Sequence, residues 1–389
     1  MKELSRVAHC VTPSPIRKMF NLAAELQDVV SFSVGEPDFN TPEHIVEAAV
    51  QALRAGQHHY TPNAGILPLR QAITKSIVKT HGVSYDPHTQ VIVTAGGMEA
   101  LMLTMHCILN PGDQFILGDP CWTNYSRQIQ ICSAEPVFVP VTGENGFFYD
   151  PEALEKAITP RTKGFILNSP SNPTGNIAGK EILEKLAEIA VKYDLYVISD
   201  EVYQNILYDD NTAPSIATLP GMAERTIIVN SFSKTYAMTG WRVGYAVGPA
   251  HIIENMVKLQ ENIAACVTTF AQYGALAALE GPSEPVAEMV STYAQRRDYL
   301  VSQLKQIPGL RFCIPQGTFY LFLDISETGM NAEEFAKDLL QKQRVIMVPG
   351  EAFGENGKNY VRISFATSME TIQEGIKRLA VYMQTHINS

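Results

Sequence analysis

Between Gln90 and Val247 the chain repeats one pattern, a short apolar run, a small polar turn and then a longer stretch of helical character. Val91-Ile92-Val93-Thr94-Ala95, Phe115-Ile116-Leu117, Phe165-Ile166-Leu167, Tyr196-Val197-Ile198-Ser199 and Thr226-Ile227-Ile228-Val229-Asn230 are too short for buried helices and read as strands. Strands that alternate with helices predict an α/β fold: a mostly parallel sheet with crossover helices on its faces. Open sheets of this kind bind ligands at the carboxyl ends of their strands. The residues at those ends are therefore the functional candidates.

The densest such end is Ser231-Phe232-Ser233-Lys234-Thr235-Tyr236-Ala237-Met238-Thr239-Gly240-Trp241-Arg242. Burial there penalises the ammonium form of Lys234, and the neutral amine is a nucleophile able to condense with a carbonyl to a Schiff base. Ser231 and Ser233 can donate to phosphate oxygens, and Arg242 offers the planar fork that grips phosphate bidentately. Singly, a lysine is usually a solvated charge and S-x-S a common loop sequence. Together they suit a phosphorylated aldehyde. Other ends are more ambiguous. Gly96-Gly97 opens an apolar helix from Met98 to Leu109, which suits either phosphate binding at a helix N-terminus or close packing. Trp122 is either core or a flat platform for an aromatic ring. A carboxylate at Asp200, closing an apolar strand, is expensive unless paired, and a protonated pyridine nitrogen is a natural partner. Gly35, in Gly35-Glu36-Pro37-Asp38-Phe39, allows close backbone approach or simply turns the chain. Arg362, a charge inside an apolar alternation, is either an exposed edge residue or functional. His58 and His59 have no further ligands near them in sequence and read as surface residues; no metal site is expected.

Several of these segments resemble the class I and II aminotransferases, the fold-type I enzymes that carry pyridoxal 5'-phosphate. The resemblance rests on the Lys234 segment, G-x-P-D-F at Gly35, Y-T-P-x-A-G at Tyr60, P-x-W-x-x-Y at Pro120, P-S-N-P-T-G at Pro170, and V-R-I-S-F-A at Val361, so it spans nearly the whole chain. It implies a seven-stranded sheet with helices on both faces and a smaller α+β domain. It also implies that Lys234 bonds the cofactor's aldehyde carbon and later moves a proton. Asp200 would face the ring nitrogen, Asn172 and Tyr203 the phenolic oxygen, and Trp122 the ring face. Gly97, Met98, Ser231, Ser233 and Arg242 would hold the phosphate, joined by Tyr60 of a partner subunit in a homodimer. The backbone N–H at Gly35, with Asn172 and Arg362, would receive the substrate, Arg362 gripping its α-carboxylate. The Asn172-Pro173 bond, and also Asp119-Pro120, would be cis.

Transfer of an amino group from an L-amino acid to a 2-oxo acid is then the expected reaction, with 2-oxoglutarate as acceptor. A carbon–sulfur β-lyase would use the same anchors. Met98 stands where some aspartate-specific relatives of the family have lysine, and Ile16 lies in the segment that covers the pocket in such relatives. Neither binds a distal carboxylate, which favours aromatic or apolar side chains or a broad range over an aspartate-specific enzyme. A transcriptional regulator is disfavoured, because family motifs begin by Gly35 and the net charge is −10, from 30 basic and 40 acidic residues. That charge offers nothing to nucleic acid or to anionic membranes.

At 389 residues the chain is long enough for two or three domains. The expected division is 46–285 as the large cofactor-binding domain and 286–389 as the small one, with the segment 1–45 belonging to the small domain. Helices are expected from Ser14 to Leu26, after Thr41-Pro42, from about His251 continuously to Glu280, from Ser291 to Gln306 and from Ala332 to Leu340. Strands are expected over Phe312–Leu323, Val345–Val348 and Tyr360–Ala366. Six cysteines lack any C-x-x-C pair, and no signal-peptide core or long apolar stretch is present, so a cytoplasmic protein with free thiols is expected.

Overall fold

A computed structural model describes residues 2–10 and 26–387. A short first strand, β1 (Val30–Ser31), precedes the sheet that the apolar runs build: β2 (Val91–Thr94), β3 (Gln114–Asp119), β4 (Glu135–Pro140), β5 (Thr162–Asn168), β6 (Tyr196–Asp200), β7 (Thr226–Ser231) and β8 (Gly244–Val247). Their order across the sheet is β2-β8-β7-β6-β5-β3-β4. Only β8 runs against its neighbours, so the sheet is seven-stranded and mostly parallel, as expected.

Alternate residues of each strand enter cores on opposite faces. Ile92, Ile166, Ile198, Ile227 and Ala246 pack with the helices Gly97–Ile108 and Ala250–Ile263. Val91, Val93, Ile228 and Tyr245 pack on the other face with Leu67–His81 and Thr269–Glu280. Burial on both faces is why these strands read as uninterrupted apolar runs. The register pairs Asn168 with Asp200 and Asp200 with Val229. The ends of β5, β6 and β7 therefore emerge side by side.

A second sheet, of order β12-β13-β10-β9, comprises β9 (Arg311–Phe312), β10 (Tyr320–Asp324), β12 (Val348–Pro349) and β13 (Tyr360–Ser364). The helices Glu284–Leu304, Ala332–Gln343 and Met369–Ile387 accompany it. Strand β11 (Val345–Ile346) pairs in parallel with β1, which ties the start of the chain to this end of the molecule.

Several expectations need correction. The helix expected from His251 to Glu280 is two helices, interrupted at residues 264–268 with Ala265 at φ 61°. No glycine or proline marks the break. Tertiary bonds hold it: Gln260 donates to the carbonyls of Asn63 and Val93 at 2.7 and 3.1 Å, and Thr269 donates to His59 O at 2.6 Å. The strand expected over Phe312–Leu323 is split into β9 and β10 around Pro315-Gln316-Gly317, and Val345–Val348 is divided between two sheets. The helix expected after Thr41-Pro42 runs over Glu43–Arg54 with Pro42 as its N-cap, and the Thr41 hydroxyl donates to Ala237 O at 2.7 Å. The helix expected from Ser14 lies, apart from Leu26, outside the described residues. Among the described residues five cysteines are free thiols, and no helix is long and apolar enough to cross a membrane.

Candidate active site

A cavity of about 410 Å³ opens at the carboxyl ends of β5, β6 and β7. Strand β7 delivers Ser231, whose Oγ accepts from Ser233 N at 3.1 Å and starts the one-turn helix Phe232–Thr235. That turn aims Lys234 into the cavity, where its Nζ donates to Gly35 O at 2.6 Å. Burial lowers the Lys234 pKa to about 8; Glu36 works against the shift, and the cationic Arg362 and Arg242 reinforce it. A lysine so tuned has an appreciable neutral fraction near pH 7 and can act as nucleophile or base.

Ser231 Oγ also donates to Ser233 Oγ at 2.8 Å. Beside them Arg242, itself in the left-handed region at φ 54°, donates from Nη1 to Thr239 O at 2.8 Å and from Nη2 to Ala95 O at 3.3 Å. Gly96 has φ 80°, and a Cβ there would lie 2.3 Å from Arg242 Nη2, so only glycine lets the arginine lie across the start of the helix Gly97–Ile108. The first amides of that helix to find a carbonyl are those of Glu99 and Ala100, both on Gly96 O. Gly97 and Met98, which precede them, line the cavity together with Ser231, Ser233 and Arg242. Hydroxyls, a guanidinium and a helix N-terminus assembled in this way make an anion site.

Asp200 ends β6 and is 4% exposed. Its Oδ2 accepts from Tyr125 Oη at 2.5 Å and its Oδ1 from Val202 N at 3.3 Å. Burial pushes its pKa up to about 6, while those two hydrogen bonds hold it down and the neighbouring Glu201 adds to the rise. Trp122 lines the same wall and meets the Tyr125 ring edge-on, with 5.2 Å between centroids.

Arg362 lies in β13, an interior strand of the second sheet, and is buried rather than an exposed edge residue. Its Nη1 donates to Asn172 Oδ1 and its Nη2 to Ser33 O, each at 3.0 Å. Its Cζ sits 4.2 Å from the centre of the Tyr320 ring. Burial lowers its pKa, its Nε is buried without a partner, and among the described residues no carboxylate pairs with it. A buried, unneutralised guanidinium facing a cavity is a site for an anionic ligand. Asn172 is fixed through its own amide, which donates to Asn168 Oδ1 at 2.9 Å, and the turn that carries it contains cis bonds before Pro170 and Pro173; Asp119-Pro120 is cis as well. The cis bonds before Pro173 and Pro120 were expected, that before Pro170 was not. Tyr203 Oη donates to Tyr320 Oη at 3.2 Å.

The cavity thus brings together Lys234, Asp200, Tyr203, Asn172, Trp122, Gly97, Met98, Ser231, Ser233, Arg242, Gly35 and Arg362. Gly35 appears with its carbonyl on Lys234, a contact the expectation of an N–H donor did not include. Tyr60 is 89% exposed and takes no part in this chain's cavity, while Ile16 lies outside the described residues. Sequence reasoning gave no role to Tyr125, Tyr320, Asn168, Glu36 and Thr239, which also line the cavity. Tyr125 carried a signal, since it is the closing tyrosine of the P-x-W-x-x-Y motif at Pro120. Tyr320, in Thr318-Phe319-Tyr320-Leu321, carried none that separates it from core.

The donor set fits a phosphorylated pyridine aldehyde: an anion site at one end, an amine for the aldehyde, a carboxylate for the ring nitrogen, and a cavity within the usual range for small ligands. Comparison with known proteins points the same way. The sequence profile described as "Aminotransferase class I and II" matches residues 27–379. The chain is similar to an aspartate aminotransferase of Pyrococcus abyssi, 44% identical over 371 residues that make up 95% of each chain. It is 42% identical to an aromatic-amino-acid aminotransferase of Thermococcus litoralis, with 97% of each covered. Among solved structures, an aromatic aminotransferase from Pyrococcus horikoshii superimposes with a TM-score of 0.90 at 41% identity, over 95% of this chain and 99% of that one.

Proposed function

The chain belongs to the class I and II aminotransferases, a pyridoxal-phosphate-dependent family, and from that premise we propose how its own residues carry the transfer of an amino group and which substrates they favour. When bound, the cofactor supplies an electron sink for the charge that develops at the substrate's Cα. Lys234 would hold the cofactor at its aldehyde carbon and, as a free amine, would be the base placed to move the proton at the substrate's Cα. Gly35 O restrains the amine beside that path. Asp200 would face the ring nitrogen and favour its protonated form. Asn172 and Tyr203 would lie at the phenolic oxygen, and Trp122 against the ring face. The amides of Gly97 and Met98, with Ser231, Ser233 and Arg242, would hold the phosphate. Arg362 fixes the α-carboxylate and so orients Cα toward Lys234. The observation that carries this reading is the buried Lys234 amine, near pKa 8, sharing one cavity with Asp200 and with two arginines that no carboxylate neutralises among the described residues.

The substrates are an L-amino acid and a 2-oxo acid, and the preference we propose is aromatic, apolar or broad, with 2-oxoglutarate as acceptor. The support is that every cation lining the described cavity already has a role: Lys234, Arg242 and Arg362. Met98, 38% exposed, offers a thioether at the wall where a distal carboxylate would need a charge. A panel of amino donors assayed with 2-oxoglutarate tests this. Comparable or higher kcat/KM for tyrosine and phenylalanine than for aspartate supports it, and a preference for aspartate of more than about a hundredfold, some 3 kcal/mol, overturns it.

The active unit in this reading is a homodimer in which Tyr60 of each chain completes the other's phosphate site. The exposure of Tyr60 in the single chain supports that reading. The division into a large domain, 46–285, and a small one, 286–389 with 1–45, is supported by the separate second sheet and by the pairing of β1 with β11. A cytoplasmic location, with no nucleic-acid or membrane partner, fits the acidic composition.

A further inference from the structure

Asp200 does not stand alone at the end of β6. Tyr125, 1% exposed, is the second residue of the helix Asn124–Ile131, and its ring is locked edge-on against Trp122. Its hydroxyl donates to Asp200 Oδ2 at 2.5 Å. Burial and the Asp200 charge raise the phenol's own pKa well above its ordinary value, so it remains a donor across the accessible pH range. Phenylalanine would fill the same space without burying a polar atom, so the hydroxyl's place is explained by the carboxylate it serves. Val202 N, at 3.3 Å, is a weaker donor to the other oxygen. From this geometry we propose that Tyr125 is a positioning residue, which orients the Asp200 carboxylate and stabilises its charge so that its remaining acceptor positions face the cofactor's ring nitrogen. The inference rests on the reading of Asp200 given above.

The test compares two cofactors rather than two activities. Apoprotein of the wild type, of Tyr125→Phe, of Asp200→Asn and of the double variant is titrated with pyridoxal phosphate and with its 1-deaza analogue, in which the ring nitrogen is replaced by C–H. The wild type is expected to bind pyridoxal phosphate more tightly than the analogue. Tyr125→Phe keeps the ring packing and removes only the hydroxyl. It is expected to weaken pyridoxal phosphate by roughly ten- to a hundredfold, the scale of one hydrogen bond to a charged group, and to leave the analogue unchanged. In the Asp200→Asn background the same substitution should change neither cofactor. If Tyr125→Phe weakens both cofactors equally, or neither, Tyr125 is structural and the proposal falls while the role of Asp200 stands. If the wild type itself does not distinguish the two cofactors, the reading of Asp200 falls, and the proposal with it.

Discussion

Replacing Arg362 by lysine keeps a cation in the cavity and removes the fork, which isolates what the guanidinium does. In the structure its two terminal nitrogens donate to Asn172 Oδ1 and Ser33 O at 3.0 Å each, and its Cζ lies 4.2 Å from the centre of the Tyr320 ring and 5.0 Å from that of Phe353. These contacts hold the fork in place. An ammonium has neither the plane nor the second, rigidly spaced donor, so a bound carboxylate loses at least one charge-assisted hydrogen bond. One such bond is worth roughly 1.5–3 kcal/mol, a ten- to 150-fold loss in kcat/KM. The assay is single-turnover mixing with tyrosine and, as control, with tyramine, which has the same side chain and amine but no carboxylate. Arg362→Lys should show the full loss on tyrosine and almost none on tyramine. Equal losses on both would mean that Arg362 supports the cavity through Asn172 rather than binding carboxylate, and the substrate orientation argued above would be wrong.

Three further outcomes follow from particular groups. The Lys234 pKa is about 8 in the fold against an ordinary 10.5, so burying this amine destabilises the apoprotein by up to ~3 kcal/mol below pH 8, and the penalty fades as pH rises toward 10.5. Urea unfolding of apo Lys234→Met should show greater stability than the wild type at neutral pH and convergence above about pH 10. His81, buried against Glu201 at 2.9 Å, is pushed down by burial, but its hydrogen bond and ion pair with Glu201 and its bond to Gln204 together outweigh that, so its pKa ends above the ordinary 6.5. The pair's contribution is then fully present below that value and lost as pH rises through the raised one; His81→Gln should cost ~3 kcal/mol at about pH 5.5 and less at about pH 9, read by thermal unfolding. Tyr60→Phe should weaken cofactor retention by roughly 1–3 kcal/mol, measured by dialysis of the holoenzyme, and an unchanged value would remove Tyr60 from the phosphate site.

The parts of this architecture that were legible from sequence are those whose burial is uniform. β5 and β7 are covered on both faces, and their apolar runs announce them. Strand β4 was not read. It forms the sheet's edge, Phe138 is 46% exposed, and its Glu135-Pro136-Val137-Phe138-Val139-Pro140 lacks the run that central strands show. The break at 264–268 is set by side chains far away in sequence, Gln260 reaching Asn63 and Val93, which no local signal carries. The site divides in the same way. Asp200 closes an apolar strand, and Lys234 and Asn172 follow apolar strands within a few residues, where their chemistry is conspicuous. Tyr320 and Asn168 act through contacts made across the fold and look like ordinary core and turn residues until Arg362 and Asp200 are placed beside them.

The most direct test of the account is a half-reaction: purified holoenzyme mixed with an amino donor and no oxo acid, with absorbance and released products followed together. Amino transfer predicts one burst, in which the aldehyde-form absorbance of the cofactor disappears and about one equivalent of 2-oxo acid per site appears, with no ammonia, and the original spectrum returns when 2-oxoglutarate is added. Lys234→Ala should show no burst on the same timescale. Continuous release of oxo acid and ammonia from the wild type, with the aldehyde spectrum persisting, would contradict amino transfer and identify an eliminating enzyme built on the same residues.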